Sequence, residues 1–464
     1  MAKARKHDKD TLSHSFVSGE LHLGFWSFVK KLFGFADSFF ILRSLSVYQF
    51  GVYQLLLAFY AFFSDIFHDV FSNVISNDLS RFIGDGKMAE AKRLFAEYSL
   101  FRLITGAIPA IAGFFLAPLL SENYGPEAIL WIRLLSGLFF VDAALNTILS
   151  LLKVQLHFKL VAARPTIQKF IQFLTLGYFY FFATLTIREV FIAQLIAPAL
   201  TIFLVLPSFW RTLRPLRKVR AARTGIFWGI AQSYGVWEVP QLFTRNLVGK
   251  VRPLLIKIFI STEAVGLFGV AAMAIAMLKD VIPARTLNMV LPRKANDPQR
   301  LHLISKYGTK YYVLLSLVLV LGGIFAYSVG IGYLFPQFES SIIIFFLLLP
   351  TIPLFAFIKI TNILLVVARH QRFIFLQAVL TQSLGIVFIL FFAPLLGIIG
   401  LSIAEVAALG ISVFVKYSYL TKIKFMRPFK WGEFFVFDST DRAILGQFKY
   451  VLRDTPFLGR LVRK

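Results

Sequence analysis

Apolar runs of about 20 residues, the length a helix needs to cross the hydrocarbon of a bilayer, recur along this 464-residue chain. A backbone in lipid must satisfy its own N–H and C=O groups, so only helices and closed barrels span. The alternating pattern of an outer-membrane barrel is absent. The expected fold class is therefore an all-α polytopic membrane protein. Composition points the same way: 58% of residues are hydrophobic and 16% charged, against about half and about a quarter in a soluble domain.

We read twelve spans. They lie near 21–43, 49–77, 96–120, 127–152, 165–184 and 187–209 in the first half. The second half gives 228–260, 265–291, 307–335, 339–367, 373–393 and 396–420. The expected organisation is a basic cytoplasmic tail (1–20), an N-lobe (21–209), a basic cytoplasmic linker (210–227), a C-lobe (228–420) and a basic amphipathic tail (421–464). The N-terminal segment is polar and basic without a cleavable apolar core, so the first span reads as retained.

The formal net charge is +25. In a soluble protein that charge would point to nucleic acid. Here Lys and Arg collect in every second connection, around Arg81–Arg93, Lys153–Arg164, Arg211–Arg223, Arg293–Lys306 and Arg369–Arg372. The intervening loops hold little besides Arg43, Arg188 and a few glutamates. That is the positive-inside pattern. It places both termini in the cytoplasm, makes membrane lipids the partner of the basic loops, and gives no nucleic-acid partner. The chain has no cysteine, which excludes disulfides and thiolate chemistry. In the tail, Ile444, Leu445, Phe448, Val451 and Leu452 recur at helical spacing. This stripe fits either a helix on the inner leaflet or one packed on the cytoplasmic loops.

The two halves echo each other at an offset of about 215 residues. Lys30 meets Arg245, Gly34 meets Gly249, Asp37 meets Arg252 and Ser46 meets Ser261. Gly51 meets Gly266, Asp65 meets Asp280 and Asn73 meets Asn288. Polar residues are rare inside apolar spans, so their coincidence carries the repeat. Two parallel copies of six helices are what an alternating-access transporter needs. With the offset moved by one, Asn146 and Lys153 meet Asn362 and Arg369.

A charge at the centre of a span costs about 2.5–3.5 kcal/mol on insertion scales, so such residues must face a cavity, a partner or a helix end. Lys30, Arg102, Arg133, Arg245, Arg252 and Lys359 are the candidate cations for binding cargo. Asp37, Asp65, His68, Asp69, Asp142, Glu238 and Asp280 are the candidates for ion coupling or cavity polarity. Asp65, His68 and Asp69 share one helix face. They fit a proton site, a metal ligand set, or an ion pair with Lys30 or Arg102. No further His or carboxylate stands at metal-ligand spacing, so no metal or cofactor is expected. The surplus of cations suits an anionic cargo, most simply a diphosphate.

Ser46–Tyr53 (SVYQFGVY), followed by an apolar span and then Asn73 and Arg81, resembles the opening of polysaccharide exporters and oligosaccharide-lipid flippases of the multidrug/oligosaccharidyl-lipid/polysaccharide superfamily. Arg252–Phe268 resembles the matching segment of the second half, ending in Val265-Gly266-Leu267-Phe268. Arg252 stands where that family pattern has Asp, and Phe268 where it has Tyr. The resemblance covers roughly residues 20–420. It implies two six-helix lobes in a V that open alternately to either side of a bacterial cytoplasmic membrane. It also implies a cargo of polyprenyl-diphosphate-linked oligosaccharide for surface polysaccharide synthesis, with a polysaccharide polymerase or assembly machinery as partner.

Three other readings compete. A major-facilitator symporter shares the span count, but its signature loop after span 2 is replaced here by Ser80-Arg81-Phe82-Ile83-Gly84-Asp85-Gly86-Lys87. A drug/cation exporter would share the fold and differ in the charge balance of its cavity. A membrane-embedded glycan-assembly enzyme would need a large external loop or a histidine-centred site, and the expected external loops are short.

Overall fold

The structure, a computed structural model, describes residues 26, 28–64, 71–122, 124–154, 158–233, 247–282, 298–423, 425 and 441. Among these the regular elements are helical and no strand occurs. In chain order they are α1 (28–44), α2 (Val47–Ser64), α3 (Ser72–Gly84), α4 (Met88–Leu120), α5 (Glu127–Val154), α6 (Phe158–Phe182) and α7 (Ile187–Lys218). Then follow α8 (227–233), α9 (Leu247–Phe259), α10 (Thr262–Val281), α11 (Pro298–Leu334), α12 (Ser341–Leu348), α13 (Thr351–Val367) and α14 (Gln371–Lys422). Eight helical stretches among the described residues are long and apolar enough to cross a membrane. They correspond to spans 2, 3, 4, 6, 8, 9 and 10 and, in α14, to spans 11 and 12 together.

Their outward faces explain the composition. On α4, Ile104, Ile108, Ile111, Phe115 and Leu119 follow one another at helical spacing, and each is at least half exposed. Val318, Leu321 and Phe325 do the same on α11. Continuous apolar stripes of this length have no place in water and belong against lipid. The protein is a multi-pass membrane protein.

Several helices end where residue chemistry dictates. The stretch expected as one span over 49–77 contains two helices, α2 and α3, and Phe71 just before α3 has φ 66°. Left-handed backbone at an aromatic residue interrupts a helix. Span 10 is broken at Pro350, which lacks the N–H that would continue the ladder and instead precedes α13. In α14 the break falls at Gly397, with φ 59° and ψ −136°, so the element is two helices in series. Helix α7 runs past the expected end at 209, through Arg211, Arg214 and Arg217 to Lys218. Cations in its final turn favour the negative end of the helix dipole and allow that extension.

Two compact units divide the chain: residues 1–269 with 333–339, and residues 270–332 with 340–464. In the first unit, α2 crosses the start of α10 at two glycines. A Cβ on Gly51 would strike the Thr262 carbonyl oxygen, and one on Gly266 would strike that of Val47. Both helices are capped alike. The amide of Gln49 donates to Ser46 Oγ at 3.2 Å, and that of Ala264 donates to Ser261 Oγ at 3.1 Å. Every pair in this arrangement lies at the repeat offset, so the two copies meet reciprocally.

The connection between the halves is tied to the same unit. Lys92 Nζ donates to the carbonyls of Arg217 and Val219 at 3.2 and 2.7 Å. Glu97 Oε2 accepts from the amides of Ile226 and Phe227 at 3.0 and 2.9 Å, capping α8. Phe227 is buried among Phe71, Tyr98 and Phe101, with ring centroids 4.9–6.1 Å away. Such ring pairs add about 0.5–1.5 kcal/mol each beyond area burial. Residues 335–339 join this unit as well. Gln337 Nε2 donates to the Leu42 carbonyl at 2.8 Å, and Phe338 packs edge-on against Phe50.

In the second unit, Gly323 of α11 faces Leu278 of α10, where a Cβ would stand 2.7 Å from Leu278 Cδ1. Tyr327 stacks on Phe345 at 4.0 Å and shares a hydrogen bond with Ser341. Phe373 stacks on Tyr419 at 3.7 Å and joins the two parts of α14. Asp441 of the C-terminal tail is fully buried and pairs with Lys310 and Tyr311 of α11. The tail stripe over 444–452 lies outside the described residues.

Candidate functional site

Asp37 stands on α1 with 3% of its surface exposed. Its Oδ2 accepts from Lys169 Nζ of α6 at 3.1 Å, and the same ammonium donates to Gln172 Oε1 at 3.0 Å. Asp37 Oδ1 is buried without a partner. The pair is unevenly placed, because the Lys169 side chain keeps 33% of its surface exposed and that of Asp37 only 4%. The carboxylate depends on the lysine, while the lysine can reach solvent or a ligand. On α2, Tyr53 lies close by and accepts from Gln194 Nε2 of α7 at 2.8 Å.

A second cluster lies between α2, α4, α5 and α6 of the same unit. Tyr60 donates to Asp142 Oδ2. Arg102 is 2% exposed. Its Nη1 donates to Tyr98 Oη at 2.6 Å, and its guanidinium lies 5.5 Å from the Tyr98 ring centre. The guanidinium groups of Arg102 and Arg164 both act electrostatically on Asp142. The Nε atoms of both arginines are buried without an acceptor. Among the described residues, two guanidinium groups act on this one carboxylate.

The other candidates are dispersed. Lys30 is exposed on α1. Arg133 is exposed on α5, 4.7 Å from the Phe114 ring centre. Arg252, the repeat counterpart of Asp37, lies 5.3 Å from the Phe268 ring centre. The two copies thus use that position differently, one for an ion pair and one for a cation–π contact. In the second unit, Lys359 Nζ donates to the Ile282 carbonyl at 3.0 Å and lies 4.8 Å from the Phe355 ring centre. Asp280 is exposed at the end of α10. Asp65, His68, Asp69, Glu238 and Arg245 lie outside the described residues. No group of three His, Asp or Glu stands together among the described residues.

Residue-type reasoning passed over two cations that the packing brings inside, Arg164 and Lys416. Arg164 reads as a loop charge after span 4, yet it lies within α6. Lys169 reads as a cation within span 5, and only its pairing with Asp37 comes from the packing. Lys416 of α14 is 5% exposed, and its Nζ donates to Asn362 Oδ1 of α13 at 2.7 Å. Asn362 belongs to the repeat register, and that was the available clue to Lys416.

A family model described as "Polysaccharide biosynthesis protein" matches residues 43–302. No curated protein matches the chain. Among solved structures, the lipid II flippase MurJ in an inward closed conformation superposes with a TM-score of 0.70 at 14% identity, covering 93% of each chain. An inward-facing multidrug resistance MATE family transporter of the MOP superfamily superposes with a TM-score of 0.68 at 14% identity, covering 85% of this chain and 94% of that one. A MOP superfamily transporter from Pyrococcus furiosus gives 0.58 at 15% identity, with 87% and 94% covered. At these identities the likeness is one of fold.

Proposed function

The chain belongs to the polysaccharide biosynthesis protein family, and from that premise we propose that it is a flippase for polyprenyl-diphosphate-linked oligosaccharide. It carries its cargo from the cytoplasmic to the outer leaflet of a bacterial inner membrane, for assembly of a surface polysaccharide by a downstream polymerase. It is a transporter and performs no bond chemistry. The two repeats, 21–209 and 228–420, act as the lobes of an alternating-access cycle. Both termini face the cytoplasm, in keeping with the basic even-numbered connections.

The observation that carries this reading is the sign of the buried charge. Among the described residues, Arg102, Arg164 and Lys416 lie within helices without a carboxylate at ion-pair distance. Buried or half-buried cations without a contact ion pair are costly, and an anionic cargo would offset that cost. Lys30, Arg133, Arg245, Arg252 and Lys359 are the further candidate cations for cargo. Asp37 with Lys169 is the coupling pair in the first lobe, and Asp65, His68, Asp69, Asp142, Glu238 and Asp280 are the remaining polar candidates. A drug-cation exporter would place acidic groups where these cations stand.

Deletion of the gene, followed by analysis of lipid-linked glycans, tests the reading. The flippase predicts accumulation of lipid-linked oligosaccharide on the inner leaflet and loss of the surface polymer. Unchanged glycans together with altered drug resistance contradict it and favour the exporter.

A further inference from the structure

We propose that the ends of α1 and α11 are joined by a reversible clasp, and that Arg43 and Gln337 are the positioning residues that hold the outer face of the carrier closed. The inference rests on the alternating-access reading above and names what must open on one side of it. The last carbonyls of a helix have no partner within that helix. Arg43, in the last turn of α1, donates through Nη1 to the carbonyl of Leu334, the last residue of α11, at 2.9 Å. Gln337, just past that end, donates through Nε2 to the Leu42 carbonyl in the last turn of α1 at 2.8 Å. Each helix end thus supplies the cap of the other. The Arg43 cation also stands at the negative end of the α11 dipole, where charge of its sign is favoured.

Beneath these hydrogen bonds lies an aromatic plug. Phe335 meets Phe39 edge-on with ring centres 5.6 Å apart, and the fully buried Phe338 meets Phe50 in the same way at 5.6 Å. The Phe50 ring also lies 3.5 Å from where a Cβ on Gly269 would stand, so the plug is continuous with the glycine crossing of α2 and α10. Residues 333–339 group with the first unit, whereas the chain on either side of them, 270–332 and 340–464, groups with the second. A short piece of the second repeat is therefore held by helices of the first. The connections involved, 45–46, 260–261 and 335–340, all belong to the set poor in Lys and Arg, which is outer in the orientation proposed above. Arg43, Leu334 and Gln337 are exposed, while Phe335 and Phe338 are buried. Water can replace the rim hydrogen bonds one at a time, and their modest net strength suits a contact that breaks in every cycle.

The chain has no cysteine, so a pair of introduced thiols reports on the clasp alone. The test uses full-length protein carrying Tyr48→Cys and Glu339→Cys, exposed positions next to the plug on α2 and just after Phe338. With spin labels on both, in lipid nanodiscs, electron paramagnetic resonance should show one short distance. Adding Arg43→Ala and Gln337→Ala should shift part of the protein to a longer distance. Arg43→Lys, which keeps a donor for the carbonyl, should shift less of it, and Arg188→Ala none. If the variant lacking both clasp side chains fails to fold, Gln337→Ala decides. In vesicles, joining the same two thiols with a reducible cross-linker should stop translocation of lipid-linked saccharide, and reduction should restore it. Distances that the Arg43 and Gln337 changes leave unaltered, or translocation that continues while the thiols are joined, overturn the clasp. Wild-type vesicles that translocate nothing remove the transport function instead, and the distances then decide the clasp by themselves.

Discussion

Gly51 on α2 and Gly266 on α10 lie back to back, each with its amide nitrogen 3.2 Å from the place where the other would carry a Cβ. They are repeat counterparts, and the carbonyls that crowd them, Thr262 and Val47, are repeat counterparts too. Backbone presses on backbone here, so no side chain can swing aside. Gly51→Ala and Gly266→Ala should each destabilise the protein by about 1–3 kcal/mol, the usual cost of overpacking. Gly34 and Gly249 also match in the repeat but have nothing within 4 Å of a built Cβ. Alanine there should be neutral or stabilise by up to about 1 kcal/mol. Thermal melting of the four purified variants distinguishes a repeat preserved by contact from one preserved by descent.

The Asp37–Lys169 pair should respond unequally to its two halves. Lys169→Met strands a buried carboxylate, which costs about 3–5 kcal/mol when a buried pair is broken. Asp37→Asn leaves a lysine that is one-third exposed and can turn towards water, so its cost should be smaller. The double variant should recover most of the loss seen in Lys169→Met. A double-mutant cycle read by thermal stability settles the order; equal losses from both single changes would refute the asymmetric burial.

Ser46 and Ser261 cap equivalent helices with nearly equal hydrogen bonds, 3.2 and 3.1 Å. Replacing either by Ala should cost about 1 kcal/mol, as for other N-caps. Matched losses in stability are the expected outcome. A large loss at one cap and none at the other would show that the copies have diverged in how they begin these helices.

Glu97 holds the start of the second repeat through two backbone amides. Glu97→Ala should release α8 and the basic connection before it. Limited trypsin digestion should then cut faster between Arg217 and Arg223 than in wild type. Unchanged cleavage would mean that the Phe227 contacts and the Lys92 bonds suffice.

Much of the helical architecture was legible because crossing a membrane imposes an apolar length that any window along the chain detects. The starts of α5 and α7 fall where expected, at 127 and 187. The repeat led to the glycine crossing because small residues must recur wherever backbones touch. Breaks at Phe71 and within α14 were less visible, since hydropathy does not register a single left-handed residue. The candidate charges were legible as ionisable residues inside apolar spans, and their pairing was not. Asp37 and Lys169 are 132 positions apart, and Tyr60 and Asp142 are 82 apart. Such partners follow from packing between helices, to which sequence periodicity is blind. Arg164 was hidden for a different reason: it neighbours Pro165 in a basic stretch, and both features ordinarily mark a loop.

The most direct test is translocation itself. Purified protein is reconstituted into vesicles carrying a fluorescent polyprenyl-diphosphate saccharide, and its arrival at the outer leaflet is followed by an added enzyme or quencher. Wild-type vesicles should expose the inner-leaflet pool well above the rate of protein-free vesicles, and Arg102→Gln with Arg164→Gln should return it to that background. Wild-type vesicles that expose the labelled lipid no faster than protein-free ones would contradict the account.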